Sequence, residues 1–389
     1  MWIETEKIKE EILIGDGIEC GGKLWCLCSN LNRMYCINVE NMLIENRTVF
    51  EEISKSKAHL FSKIIKVKKN LYLIPYHSKK MIRYQIDKGK IEYTDFSDLY
   101  AECGFNGMFI TGCKVGKYIF LFPYKYKNVI RVDTENNQLN FLKYSENRNQ
   151  GKIRFPFIRR CAVRENMIWS AEDGGDRILQ IDTKKMEGIW ISLGKNILIR
   201  DICIYGEKLF CLDILGKIVV FDTITKKVEV ILDLKSDRYG FVEKTEKFIW
   251  LIPSGSNQIL KYSEEKQMEF IDYPYDFKFS STILKSKMRT FSNIHSDESK
   301  IIIMPRCNNI LIKIDKKYED ISFDKISLSE EMTCKIENDF CKKIKKYCFA
   351  TEKEAKLEWF VEFLKNDKKS SLQNNNKIGT LVYSIIENI

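Results

Sequence analysis

The chain has 389 residues, 44% of them apolar, 12% aromatic and 30% charged, which excludes a disordered chain, and its 19 Gly and 6 Pro exclude a collagen-like one. Lysine and arginine exceed aspartate and glutamate by 10, an excess that suits either a solvated basic face or an acidic partner. No apolar run approaches the roughly 20 residues a bilayer crossing needs. Met1-Trp2-Ile3-Glu4-Thr5-Glu6 places acids where a secretory leader is basic. With 13 Cys, no CxxC and no Cys/His cluster, this points to free thiols in a reducing cytoplasm. Few prolines and much Lys, Ile and Asn suggest an AT-rich bacterial source.

From about residue 16 one segment recurs seven times: an apolar run with an aromatic second residue, a turn, an alternating run, then Asp or a close substitute. The copies begin Leu24-Trp25, Leu71-Tyr72, Ile119-Phe120, Ile168-Trp169, Leu209-Phe210, Ile249-Trp250 and Ile301-Ile302. Their turn positions are Cys28, Pro75, Pro123, Glu172, Asp213, Pro253 and Pro305, so one repeat position takes most of the chain's prolines. Their closing residues are Asn38, Asp87, Asp133, Asp182, Asp222, Ser263 and Asp315, spaced by roughly 46 residues, the span of one four-stranded propeller blade. Each copy reads as two buried strands, with one more short strand before and one after. Proline, lacking a backbone donor, should end the second strand. A lone four-stranded sheet leaves both faces wet; seven packed radially bury them, with the aromatic as bulk between neighbours.

Over residues 16–328 the repeat resembles that of seven-bladed β-propellers, the group holding kelch, WD40 and streptogramin-lyase-like proteins. It lacks the Gly-His and Trp-Asp pairs of WD40 repeats and the double glycine of kelch repeats. The expectation is an all-β, seven-bladed β-propeller over residues 1–329 and a short helical tail over 330–389. Residues 1–15 are expected to supply the strand that closes the ring on the last blade. Apolar positions recur at helical spacing over 331–348, 352–365 and 378–386, with a polar linker at 366–376. Cys334, Cys341 and Cys348 share a stripe with Phe340, Ile344 and Tyr347, which reads as core packing, the alternative being a soft-metal stripe. The tail helices dock on the propeller's own flank or, alternatively, in a partner's groove.

The resemblance puts the loops from second to third strand, and those entering each first strand, on one face that commonly binds ligands around the central channel. The former contain Arg33, Lys79, Lys80, Lys125, Lys127, Arg177, Lys217 and Arg306 against Asp173 and Asp176, with Tyr76, Tyr124 and Tyr126 interleaved. Such a surface suits a protein or ligand carrying phosphate or carboxylate, single-stranded nucleic acid being the less favoured partner. Arg159, Arg160, Arg200 and Asp201 precede first strands and, with Glu172 and Asp213 at turn positions, form an expected ionisable cluster across blades four and five. It could bind a polar ligand, perform acid–base chemistry, or only fix blade geometry. His295 is a further candidate, either a satisfied core residue or a partner of Glu172.

No metal or cofactor is expected. Glu172-Asp173-Gly174-Gly175-Asp176 resembles part of a calcium loop but lacks the spaced ligands and terminal bidentate Glu, and no GxSxG, P-loop, HExxH or dinucleotide fingerprint is present. The leading reading is a non-enzymatic binding scaffold. The alternatives are a lyase or hydrolase with an acid/arginine site at the channel mouth, and a structural subunit anchored by its C-terminal helices.

Overall fold

A computed structural model describes residues 2–4, 9–11, 13–29, 32–50, 59–103, 107–124, 128–142, 157–254, 258–274, 291–306 and 309–332. The chain divides into units 1–332 and 333–389, and the expected tail helices, linker and cysteine stripe lie outside the described residues.

Seven antiparallel sheets, each taking its strands in chain order, form the ring. Blade one comprises Ile14–Cys20, Lys23–Cys28, Arg33–Asn38 and Leu43–Val49. The first strands of blades two to seven are Phe61–Val67, Phe109–Val115, Cys161–Arg164, Ile199–Tyr205, Tyr239–Lys244 and Phe291–Ser296. The second strands are almost wholly buried, and those of blades two, three, six and seven end on Pro75, Pro123, Pro253 and Pro305. The ladder stops where the donor is missing.

The repeated aromatic does the packing assigned to it. Trp25, Tyr72, Phe120, Trp169, Phe210 and Trp250 are each buried in a cluster shared with the following blade. Trp250, for instance, packs with Ile294, Ile301 and Ile303 of blade seven. Burying such a ring contributes more than any single aliphatic contact and needs the neighbour's sheet to be complete.

Ring closure differs from the expectation. Trp2–Glu4 and Lys9–Glu11 pair with each other rather than with blade seven, whose four strands all come from residues 291–325. Instead Ser327–Leu328 adds in parallel to the outermost strand of blade one, opposite Leu43 and Ile44. That edge carries unpaired backbone groups, and the returning chain covers part of it. Side chains complete the seam: Lys300 Nζ donates to Glu19 at 2.7 Å and Lys313 Nζ to the Val39 carbonyl at 3.4 Å.

Candidate functional site: the channel wall and its mouth

In six blades the first strand bulges near its start. Ile14 faces Cys28 but Asp16 faces Leu27, so Gly15 is the extra residue, and the same shift occurs in blades two, three, five, six and seven. A bulge resets which residue faces inward. The residues after it are Asp16, Lys63, Thr111, Asp201, Phe241 and Asn293. In blade four, where Cys161 faces Ser170, Arg160 takes the corresponding place. These positions follow one another around the ring.

Two aspartates of this series do the same work. Asp16 accepts the Ile64 amide of blade two at 2.7 Å, and Asp201 accepts the Val242 amide of blade six at 2.9 Å. Each satisfies a donor on the open edge of the next blade's innermost strand.

Around Asp201 the arrangement is closed. Arg160 Nη1 donates to Asp201 Oδ2 at 2.6 Å and to the Val242 carbonyl at 3.1 Å, while Nη2 donates to Glu243. All three side chains are about nine-tenths buried or more. Burial pushes the Asp201 carboxyl up to about 6 against the downward pull of Arg160 and the Val242 amide. The trio joins blades four, five and six.

Around Asp16 the arrangement is looser. Asn293 Nδ2 donates to Asp16 Oδ1 at 2.5 Å, but Lys63 Nζ stands 3.6 Å from that oxygen. His295 lies two residues beyond Asn293 on the same strand. Burial and then Lys63 hold its imidazole below the usual range, while Asp16, Asp297 and Glu19 pull it upward.

The expected cluster across blades four and five separates into four local arrangements. Arg160 and Asp201 meet, as above. Glu172 instead forms a two-pronged pair with Arg177, both bonds 2.9 Å, and Arg177 stacks over Trp190. Asp213 caps its own turn through the Leu215 and Lys217 amides at 2.8 and 2.7 Å. Arg200, the extra residue of its bulge, donates to the carbonyls of Asp237 and Tyr239. His295 has Lys63, Asp16, Asp297 and Glu19 as its charged surroundings, not Glu172. The Glu172–Asp176 segment is a hydrogen-bonded turn, Glu172 N donating to the Arg177 carbonyl at 2.9 Å. Among the described residues no three His, Cys, Asp or Glu side chains gather as a metal site.

Directly above this wall lies the mouth. Tyr76 and Tyr124, each following a strand-ending proline, meet at 5.4 Å between ring centroids, and Tyr76 also packs edge-on to His77 at 4.5 Å. Gly107 makes room for them: with φ +101° it lies so close to the Tyr76 ring that a Cβ would come within 2.7 Å. Burial, then Tyr124, pushes the Tyr76 hydroxyl up to about 12. His59, entering blade two, is pushed down to about 4 by burial, then by Arg306, Arg159 and His77. Arg159 enters blade four and Arg306 follows the second strand of blade seven, so cationic groups from opposite parts of the ring act on one imidazole. Lys125, Tyr126 and Lys127 lie outside the described residues. Of the other basic loop residues, Lys80 lies over the Tyr93 ring at 5.0 Å.

Sequence reasoning did not single out Asp16, Lys63, Asn293, Glu243, His59 or His77. A charged residue inside an apolar strand, as in Gly240-Phe241-Val242-Glu243, is the signal that could have found Glu243.

No family model and no curated protein matches this chain. Solved structures do resemble it. An inactive variant of virginiamycin B lyase from Staphylococcus aureus, with quinupristin, is 13% identical at a TM-score of 0.60, covering 79% of this chain and 96% of that one. The WD40 repeats of RRP9 are 9% identical at 0.55, covering 76% and 88%. YCF48 bound to D1 peptide is 11% identical at 0.55, covering 79% and 94%. At such identities the likeness establishes the β-propeller fold and nothing further.

Proposed function

We propose that the chain is a binding propeller, not an enzyme, whose mouth receives a protein or ligand through carboxylate or phosphate groups. The observation that carries this is the convergence at His59: on an imidazole that burial already keeps neutral, Arg306, Arg159 and His77 act together, and each further disfavours its protonation. Cationic groups gathered from separate blades at one place favour an anion there, and Tyr76 and Tyr124 beside it offer hydroxyls and ring faces to the rest of a partner. The carboxylates considered for acid–base chemistry are engaged elsewhere, Glu172 by Arg177 and Asp213 by its own turn. YCF48, of the same architecture, was solved with a peptide, which supports a peptide-sized partner here. The free thiols of Cys20, Cys113 and Cys161, none of them fully buried, favour a reducing cytoplasm as the setting.

The test is equilibrium binding of a fluorescein-labelled glutamate-rich decapeptide to the wild-type chain and to an Arg159→Ala/Arg306→Ala variant. Hydrogen bonds to charged groups contribute about 1.5–3 kcal/mol each, so the double variant should bind at least about tenfold more weakly with an unchanged melting temperature. Affinity in the wild type should fall with added salt. Equal affinity of the two proteins, or no binding by either, would discard the reading.

A further inference from the structure

Below the mouth, the arc of wall formed by blades seven, one, two and three carries polar groups whose hydrogen-bonding capacity the described residues leave unused. The Lys63 side chain is only 18% exposed, and its ion pair with Asp16 Oδ1, at 3.6 Å, is too long to be a hydrogen bond. Neither ring nitrogen of His295 makes a hydrogen bond among the described residues, although Lys63 and Asp16 both act on it. Thr111, next to Lys63 in the ring series, is wholly buried and its hydroxyl has no hydrogen-bond partner among the described residues. Buried polar groups are almost always hydrogen-bonded, and a set with hydrogen-bonding capacity left over on one wall marks a place for something the protein does not supply.

Each member can donate a hydrogen bond: an ammonium, the N–H of an imidazole and a hydroxyl. The carboxylates nearby are already engaged. Asp16 holds the Ile64 amide and the Asn293 side chain without needing the lysine, and Glu19 is paired with Lys300 at 2.7 Å. Lys63 can therefore turn to a new acceptor without breaking a hydrogen bond, which a guanidinium locked like Arg160 could not do.

We propose that this arc is a binding site for a small oxyanion, a carboxylate or a phosphate, held by Lys63 Nζ and the His295 ring with the Thr111 hydroxyl at its edge. The site is separate from the mouth and does not require the mouth to bind anything. An oxyanion here offsets the effect of Lys63 on His295, so occupancy raises the imidazole toward its ordinary range while Asp16, Glu19 and Asp297 keep acting in the same direction.

The chain's three histidines, His59, His77 and His295, let one experiment read both places. The full-length protein, labelled with 15N-histidine, is titrated with sodium phosphate and separately with sodium acetate, ionic strength being held with chloride. The His295 resonance should move saturably with at least one anion, and whichever moves it identifies the preferred oxyanion. Lys63→Gln should weaken that isotherm by at least about tenfold, and Thr111→Val by a few-fold, with the His59 and His77 resonances unaffected by either substitution. A stationary His295 resonance in both titrations overturns the site, as does an isotherm unchanged in Lys63→Gln and Thr111→Val. Movement of His59 and His77 alone overturns the channel site and leaves the mouth standing; movement of His295 alone does the reverse.

Discussion

Asp16 and Asp201 occupy the same repeat position and accept the amide of the equivalent residue in the next blade, Ile64 and Val242, yet one stands in an open network and the other in a finished one. Beside Asp201, the planar fork of Arg160 reaches an aspartate, a glutamate and a carbonyl at once. Beside Asp16, the single ammonium of Lys63 stops at 3.6 Å. Arginine's fixed donor geometry suits a joint between three blades, whereas a lysine on a flexible stem is held by attraction without being fixed. One half of the channel is built to stay shut, the other to exchange partners.

The most severe way to break this contrast is Arg160→Met, which leaves Asp201 and Glu243 buried without a countercharge. The expected loss is about 3–5 kcal/mol, read as a lower urea midpoint. Asp201→Asn should cost less, about 1–3 kcal/mol, and should also change the shape of the pH profile. In the folded chain the Asp201 carboxyl is pushed up to about 6, above the roughly 3.9 of an unfolded aspartate. The folded state thus retains a proton that the unfolded state has released, and this group's contribution falls as pH rises from about 4 to about 6. Subtracting the profile of Asp201→Asn from that of the wild type should expose that decline; a flat difference would place the titration elsewhere.

On the other arc, Asp16→Asn keeps an acceptor for the Ile64 amide while removing the countercharge of Lys63. It should cost about 1 kcal/mol and bring the phosphate isotherm of His295 to saturation at several-fold lower concentration. The smallest effect is expected from Lys63→Met, under about 1 kcal/mol in the same urea experiment, since no hydrogen bond is lost and the stem stays packed. If Lys63→Met destabilised the chain as much as Arg160→Met, the two arcs would not differ in kind.

The seven blades were legible because each is local. A strand-ending proline, a buried aromatic and a closing aspartate lie within about a dozen residues, and their recurrence exposes the period. The wall was only partly legible. Arg160 and Asp201 drew attention by standing beside apolar strands, but their meeting with Glu243 depends on a bulge that no composition rule announces. The Asn293–Asp16 contact joins residues 277 apart in sequence, which only ring closure brings together. Glu172 and Asp213 drew attention by replacing proline, and the same replacement lets them bind nearby groups. A position that no longer needs to end a ladder is free to cap a turn.

The clasp at Ser327–Leu328 has a mechanical meaning. It is two residues long and runs parallel to its neighbour, and the chain continues from it through a serine-capped turn, Ser329 Oγ accepting from the Met332 amide at 3.1 Å. Tension on the polypeptide beyond Met332 therefore loads these few backbone bonds before it reaches any four-stranded sheet. Under force the torus should unfasten at that seam first, with the Lys300–Glu19 and Asn293–Asp16 contacts as the next to yield.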